Sequence, residues 1–224
     1  RLIKKGADIN EATCDNTSTC FNASPLYFAI YYDQPEIATW LIKNNADIHT
    51  VTRDRGNALH AAIYKKNVTI AKLLVKYGAD VNFLSAGNWS PLHRACKGLP
   101  EIASFLIERG ADIHAQTSDG WTPFEIALWA GHTQIGAYLI EKGADINRAN
   151  PNRGFTPLHL AAVLNDVALV QLLIDKGADL QAKDKDDKTP LDIAKEKSNL
   201  NVVKIIVEQL DKKYVIPTKI EGGI

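Results

Sequence analysis

Six histidines and three cysteines are the residues of this 224-residue chain that could act as general bases, nucleophiles or metal ligands. Such chemistry needs set spacings: His-Glu-x-x-His on a helix for zinc, a glycine-rich loop ending in Lys-Ser/Thr for phosphate, Gly-x-Ser-x-Gly for acyl transfer. None of these patterns occurs. His60, His93 and His159 follow an Ala-Leu or Pro-Leu pair, His132 sits in a Gly-His step, and His49 and His114 follow Ala-Asp-Ile. Their regular placement marks all six as structural hydrogen-bonding residues. Asp184-Lys185-Asp186-Asp187-Lys188 has the acidic density of a calcium loop, but Lys188 stands at a ligand position and the glycine is missing. Asp47, Asp80, Asp112, Asp145 and Asp179 recur too evenly to form a catalytic pair.

Cys96 takes the place of a helix alanine and reads as a small core residue. Cys14 and Cys20 lie in a polar, Thr-rich insertion, Glu11–Asn22, and read as two free thiols, with a bridge between them as the alternative. A metal site needs more ligands than this segment offers. Asn-x-Ser/Thr sequons begin at Asn16, Asn22, Asn67 and Asn88 and read as chance matches. No catalytic residue, metal or cofactor is therefore expected.

The elements that carry these residues repeat. Gly-Ala-Asp-Ile-Asn begins at Gly6 and returns in variant form at Asn45, Gly78, Gly110, Gly143 and Gly177, in steps of 39, 33, 32, 33 and 34 residues. A second phrase, Thr156-Pro157-Leu158-His159-Leu160-Ala161-Ala162, has looser copies beginning at Ser24, Asn57, Ser90, Thr122 and Thr189. Ser or Thr before Pro is an N-cap followed by a proline at the first helical position. Asn57 is a competent cap, although Ala58 stands where Pro would be. Each cap opens a short helix with small residues on one face, Ala29, Ala62, Ala95, Ala127, Ala161 and Ala194. A second helix follows with apolar residues at helical spacing, such as Ile70, Leu73 and Leu74, and ends at a Gly or Asn suited to a left-handed cap. Trp40 aligns with Leu73, Phe105, Tyr138, Leu172 and Ile205, and is expected in the core between repeats.

This periodicity resembles the ankyrin repeat family, whose signature is a unit of about 33 residues with a Thr-Pro-Leu-His-x-Ala core. The resemblance implies an all-α solenoid of about six helix-turn-helix repeats with β-hairpin fingers, one domain over residues 1–214. Residues 1–17 would end a truncated repeat and carry a long first finger. Repeats would span about 18–50, 51–83, 84–115, 116–148, 149–182 and 183–214, with 215–224 as tail or linker. No helix pair of this kind buries its own apolar face, so the repeats must stack. Repeat 3 lacks one residue near Lys97-Gly98, and the finger of repeat 5 gains one within Asn150–Gly154. Either change would tilt a repeat.

Basic and acidic residues balance at 26 each, which argues against nucleic acid or an anionic membrane as main partner. No apolar run approaches the length of a membrane span. The chain contains no Met and opens on Arg1-Leu2-Ile3-Lys4-Lys5, which reads as the last turn of a helix cut from a longer protein. In repeat 6, Lys195, Glu196 and Lys197 replace apolar residues, as a terminal cap requires. A monomer in the cytoplasm is expected, or in the host cytosol for a secreted effector of an intracellular microbe, a setting hinted at by the Lys-, Ile- and Asn-rich composition.

What the resemblance implies for function is protein binding, through the fingers and the face of the first helices. The residues just before the caps include Trp89, Trp121 and Phe155, three successive aromatics at one finger position. The first helices add Tyr31, Tyr32, Tyr64, Lys65 and Trp129. With Lys65, the basic residues Arg53, Arg55, Arg94, Lys97 and Arg153 near the same edge read mostly as solvated charges, with pairing to an acidic partner segment as the alternative. Aromatics and arginine at such positions are typical interface anchors. The competing reading is that Trp89, Trp121 and Phe155 pack finger against finger. Two other functions stay open: the targeting part of a multidomain enzyme or effector, and the cytosolic stack of a membrane protein.

Overall fold

The computed structural model describes residues 8–11, 23–52 and 56–214. Among them are twelve α-helices, one short 3-10 turn at Ala86–Asn88, and no strand. The chain divides into two compact units, parting between Ala144 and Asp145. The first unit holds α1 (Pro25–Tyr31), α2 (Pro35–Lys43), α3 (Ala58–Tyr64), α4 (Val68–Lys76), α5 (Pro91–Ala95), α6 (Pro100–Glu108), α7 (Pro123–Trp129) and α8 (Thr133–Glu141). The second holds α9 (Pro157–Leu164), α10 (Val167–Asp175), α11 (Pro190–Glu196) and α12 (Leu200–Tyr214).

In the first unit each odd-numbered helix pairs with the even one that follows. The odd helices then pack in a row, α1 on α3, α3 on α5 and α5 on α7, and the even helices form a second row. In the second unit α9 packs on α11 and α10 on α12 in the same way. The contact surfaces are set by small and branched residues. Ala62, Ala95, Ala127, Ala161 and Ala194 are fully or almost fully buried, as are Leu59, Leu92, Phe124 and Leu158 beside them. Leu74, Leu106, Leu139 and Leu173 supply the buried stripe of the second helices.

The caps form as the sequence demands. Ser24 and Asn57 accept at their side-chain oxygens from the backbone N–H of Tyr27 and His60. Ser90, Thr122, Thr156 and Thr189 each share a reciprocal capping pair with the residue three positions on. At the other end, Asn45 has φ 61° and Gly78, Gly110, Gly143 and Gly177 have φ between 84° and 97°. The alanine after each donates its N–H to a leucine carbonyl five residues back, at 2.9–3.0 Å, which closes a Schellman cap. A Cβ on Gly110 would meet nothing within 4 Å, so the backbone angle alone calls for glycine there.

The Ala-Asp-Ile-Asn phrase is a bridge between repeats. Its Asp accepts from the N–H two residues on, as Asp80 does from Asn82 at 2.8 Å. The Asn side chain then reaches the next copy: Asn10 Oδ1 accepts from Asp47 N–H, Asn82 from Asp112 and Asn147 from Asp179.

Trp40 is corrected. It is 42 % exposed on α2, and none of the residues aligned with it is fully buried. One residue on an α-helix is a rotation of about 100°, so Leu41 and its counterparts Leu74, Leu106 and Leu139 take the inner face while the Trp40 column rides on its flank.

Among the described residues the fingers, from the one closed at Thr52 onward, are tight loops rather than hairpin ladders. Each is closed by a backbone bond such as Ser85 N–H to Trp89 C=O or Asp184 N–H to Lys188 C=O, and too few residues follow to extend a strand before the next cap. Finger 5 closes from Asn150 to Phe155, one residue wider than the others, as its extra residue requires. The short repeat 3 yields a five-residue α5. Its turn brings Gly98 (φ 122°) under the ring of His132, where an added Cβ would lie 2.7 Å from Nε2. Only glycine admits that approach.

Candidate partner-binding surface

Three histidines link the repeats. His93 Nδ1 accepts from the N–H of its own cap, Ser90, at 3.1 Å, while Nε2 lies 3.0 Å from the carbonyl of Trp121 in the next repeat. His159 repeats this between Thr156 and the carbonyl of Lys188. His60 Nε2 reaches the Trp89 carbonyl at 3.1 Å, and its Nδ1 lies 2.8 Å from the Asn57 oxygen. Burial holds all three below the usual histidine range, His60 down to about 4, so each is neutral near pH 7. The structural reading of these three is right. His49 and His114 differ: their rings are exposed, and the bonds they make run from their backbone N–H to Asp47 and Asp112. His132 is half-buried against Gly98. In α7 the histidine position holds Glu125, buried and closing the Thr122 cap.

The carbonyls taken by His60 and His93 belong to Trp89 and Trp121, so these links fix the base of the aromatic finger residues. Trp89, Trp121 and Phe155 are each half-buried. Their rings fold back onto first helices: Trp89 lies edge-on to His93 at 5.9 Å, Trp121 tilts against Trp129 at 6.0 Å, and Phe155 stacks on His159 at 5.5 Å. Each therefore packs within its own repeat and stays partly accessible, with Lys97 over the Trp89 ring and Arg153 over the Phe155 ring.

In the first unit the first-helix row exposes further rings. Tyr31 is 42 % exposed, Tyr32 66 %, Tyr64 65 % and Trp129 54 %. Tyr27 and Tyr31 stack at 6.0 Å, as do Phe28 and Tyr32. Cations lie over this surface: Lys65 Nζ sits 5.5 Å above the Tyr31 ring and Lys97 Nζ 5.6 Å above Trp89. Arg94 is half-buried among them. Sequence reasoning named Lys97 among the basic residues of this face but did not single out Tyr27. Arg53 and Arg55 lie outside the described residues, as do Cys14, Cys20, Asn16, Asn22 and the segment 215–224.

No group of His, Cys, Asp or Glu among the described residues could hold a metal ion. Cys96 is fully buried, and burial pushes its thiol well above the ordinary range, so it is a core residue and a poor nucleophile. The sequon at Asn67 is occupied structurally, since its side chain caps α4 by accepting from Ile70 N–H. No helix among the described residues is long and apolar enough to cross a membrane.

Comparison with known proteins agrees with this architecture. A family model described as ankyrin repeats (3 copies) matches residues 26–117, 85–150 and 147–216. Among solved structures, the chain is similar to the ankyrin repeat domain of Bcl-3, a unique member of the IkappaB protein family, at 24 % identity and a TM-score of 0.73, covering 83 % of this chain and 86 % of that one. No curated protein matches it. Capped helix pairs, glycine-terminated second helices and bridged fingers, recurring over the residues the model matches, make this chain a member of the ankyrin repeat family.

Proposed function

We propose that this protein is a non-catalytic interaction module that holds a partner protein on its aromatic first-helix face and finger edge. The observation that carries this is the exposure of Tyr31, Tyr32, Tyr64 and Trp129 on one row of helices, each between 42 % and 66 % accessible. Isolated exposed apolar residues are ordinary, but a row of large rings is not. Rigid aromatics lose little conformational entropy on binding and dominate interface energetics. Trp89 and Trp121 extend this surface at its finger edge, and Lys65 and Arg94 give it charge. Phe155 would serve the same role in the second unit. Membership in a family of protein-binding repeats supports the general assignment.

The test is capture of a partner by the immobilised chain, compared across Tyr64→Ala and Trp129→Ala. Tyr64→Ala should melt as the parent does, while Trp129→Ala, which gives up its contact with Trp121, should lose about 1 kcal/mol. Loss of the captured protein with both variants is the expected result. Capture indifferent to both places the surface elsewhere.

A further inference from the structure

The first-helix face contains one cation whose partner is missing from the described chain. Arg94 leaves α5 and donates from Nη2 to the Ser85 hydroxyl at 3.2 Å. Its Nε is shielded from solvent and has no hydrogen-bond partner among the described residues. No carboxylate among the described residues pairs with Arg94, or with Lys65 or Lys97 beside it. The neighbours that favour its charge are the phenols of Tyr27 and Tyr64, which carry none at neutral pH, while His60 nearby is held neutral. A guanidinium left this way keeps the desolvation cost of burial without the compensating ion pair. Lys65 and Lys97 are held over aromatic rings on either side, so the local field is positive although the whole chain is neutral.

We infer that Arg94 is the recognition point for a carboxylate, and that the partner presents it on an acidic peptide segment with apolar neighbours lying on Tyr31, Tyr64 and Trp89. This rests on the first-helix face being the binding surface. Three features favour a carboxylate on a peptide over other anions. The planar donor fork of arginine, whose Nη1 makes no hydrogen bond among the described residues, matches a carboxylate in two-point contact. The flanking tyrosines are suited to apolar side chains. The balanced charge of the chain, 26 acidic against 26 basic residues, does not supply the extended basic track that a nucleic-acid backbone calls for. In the free protein the half-buried guanidinium lacks a counter-charge that binding supplies, so the residue adds specificity as well as attraction: a segment lacking the acid leaves it covered and unpaired.

The experiment uses the whole 224-residue chain as bait for a phage-displayed library of random dodecapeptides, followed by affinity measurements on synthesised winners. Winners should carry an Asp or Glu beside aliphatic or aromatic residues. Replacing that acid by its amide should weaken binding at least about tenfold, and Arg94→Gln should do the same. The two changes together should cost no more than either alone, which is the signature of a direct pair. Arg94→Lys keeps the charge without the fork and should recover only part of the affinity, which separates recognition from loss of fold. Winners without an acidic residue, or additive effects of the two changes, overturn the inference. If such peptides still depend on Tyr64, the binding surface stands and only the carboxylate is wrong. If Tyr64→Ala is also without effect, the surface itself is wrong. A library with no winner, or a fluorescent single-stranded oligonucleotide that binds and is released by Arg94→Gln, also overturns it.

Discussion

Acid should weaken this protein through the same imidazoles that join its repeats. His60 illustrates the size of the effect. Burial lowers its pKa from the ordinary 6.5 to about 4 in the folded chain. Between those values the unfolded chain binds a proton that the folded one refuses, so unfolding becomes easier as the pH falls. One proton corresponds to about 1.4 kcal/mol per pH unit, and the whole interval to about 3 kcal/mol. The stabilisation is complete above pH 6.5 and lost by about pH 4. His93 and His159 are displaced in the same direction by burial, so the slope between about pH 6 and 5 should exceed one proton. Urea unfolding followed by circular dichroism, at half-unit steps from about pH 7.5 to 4.5, measures that slope directly. Substituting His60→Gln should lower stability at neutral pH and reduce the proton uptake by about one. A stability that stays flat down to about pH 5, or a slope unchanged in His60→Gln, would refute the claim that these rings are buried neutral.

Leu139 is fully buried in α8, and Leu139→Ala should cost about 2–5 kcal/mol in chemical unfolding; a central repeat weakened this much should also split the transition into more than one step. Gly110→Ala should cost about 1 kcal/mol from its positive φ alone, with no clash to relieve, and crystallography of the variant should show neighbours unmoved. Because Trp121 is half-buried against Trp129, Trp121→Ala should cost about 1–2 kcal/mol of stability, measured by urea titration, and also weaken partner binding. A large loss of stability with unchanged affinity would make the ring a packing residue only.

Much of this was legible because each repeat states the same physics again. The cap before Pro25, the left-handed Asn45 and the Pro100 start of α6 follow from local backbone preferences, which single residues specify. Trp40 was misread because alignment of a column says which positions are equivalent but not which way they point, and a one-residue rotation separates it from buried Leu41. The histidines were recognised as structural, yet their reach to a carbonyl 28 or 29 residues away is a product of stacking. Arg94 was named among basic neighbours, but its unmet Nε arises from the aromatic and hydroxyl groups that surround it in space.

Finger 5 shows where this architecture tolerates change. Its closing bond spans one residue more than those of the other fingers, and the Thr156 cap beyond it keeps the geometry of Ser90. The extra residue is absorbed within the turn and does not reach the helices. A change of length is thus taken up locally, while Gly154 at the end of the turn stays fixed by its φ of 72° and by the next finger, where an added Cβ would lie 2.9 Å from Lys185 N. Loop length can therefore reshape the finger edge of the surface while the helices that carry its rings keep their packing, with little loss of thermodynamic reserve.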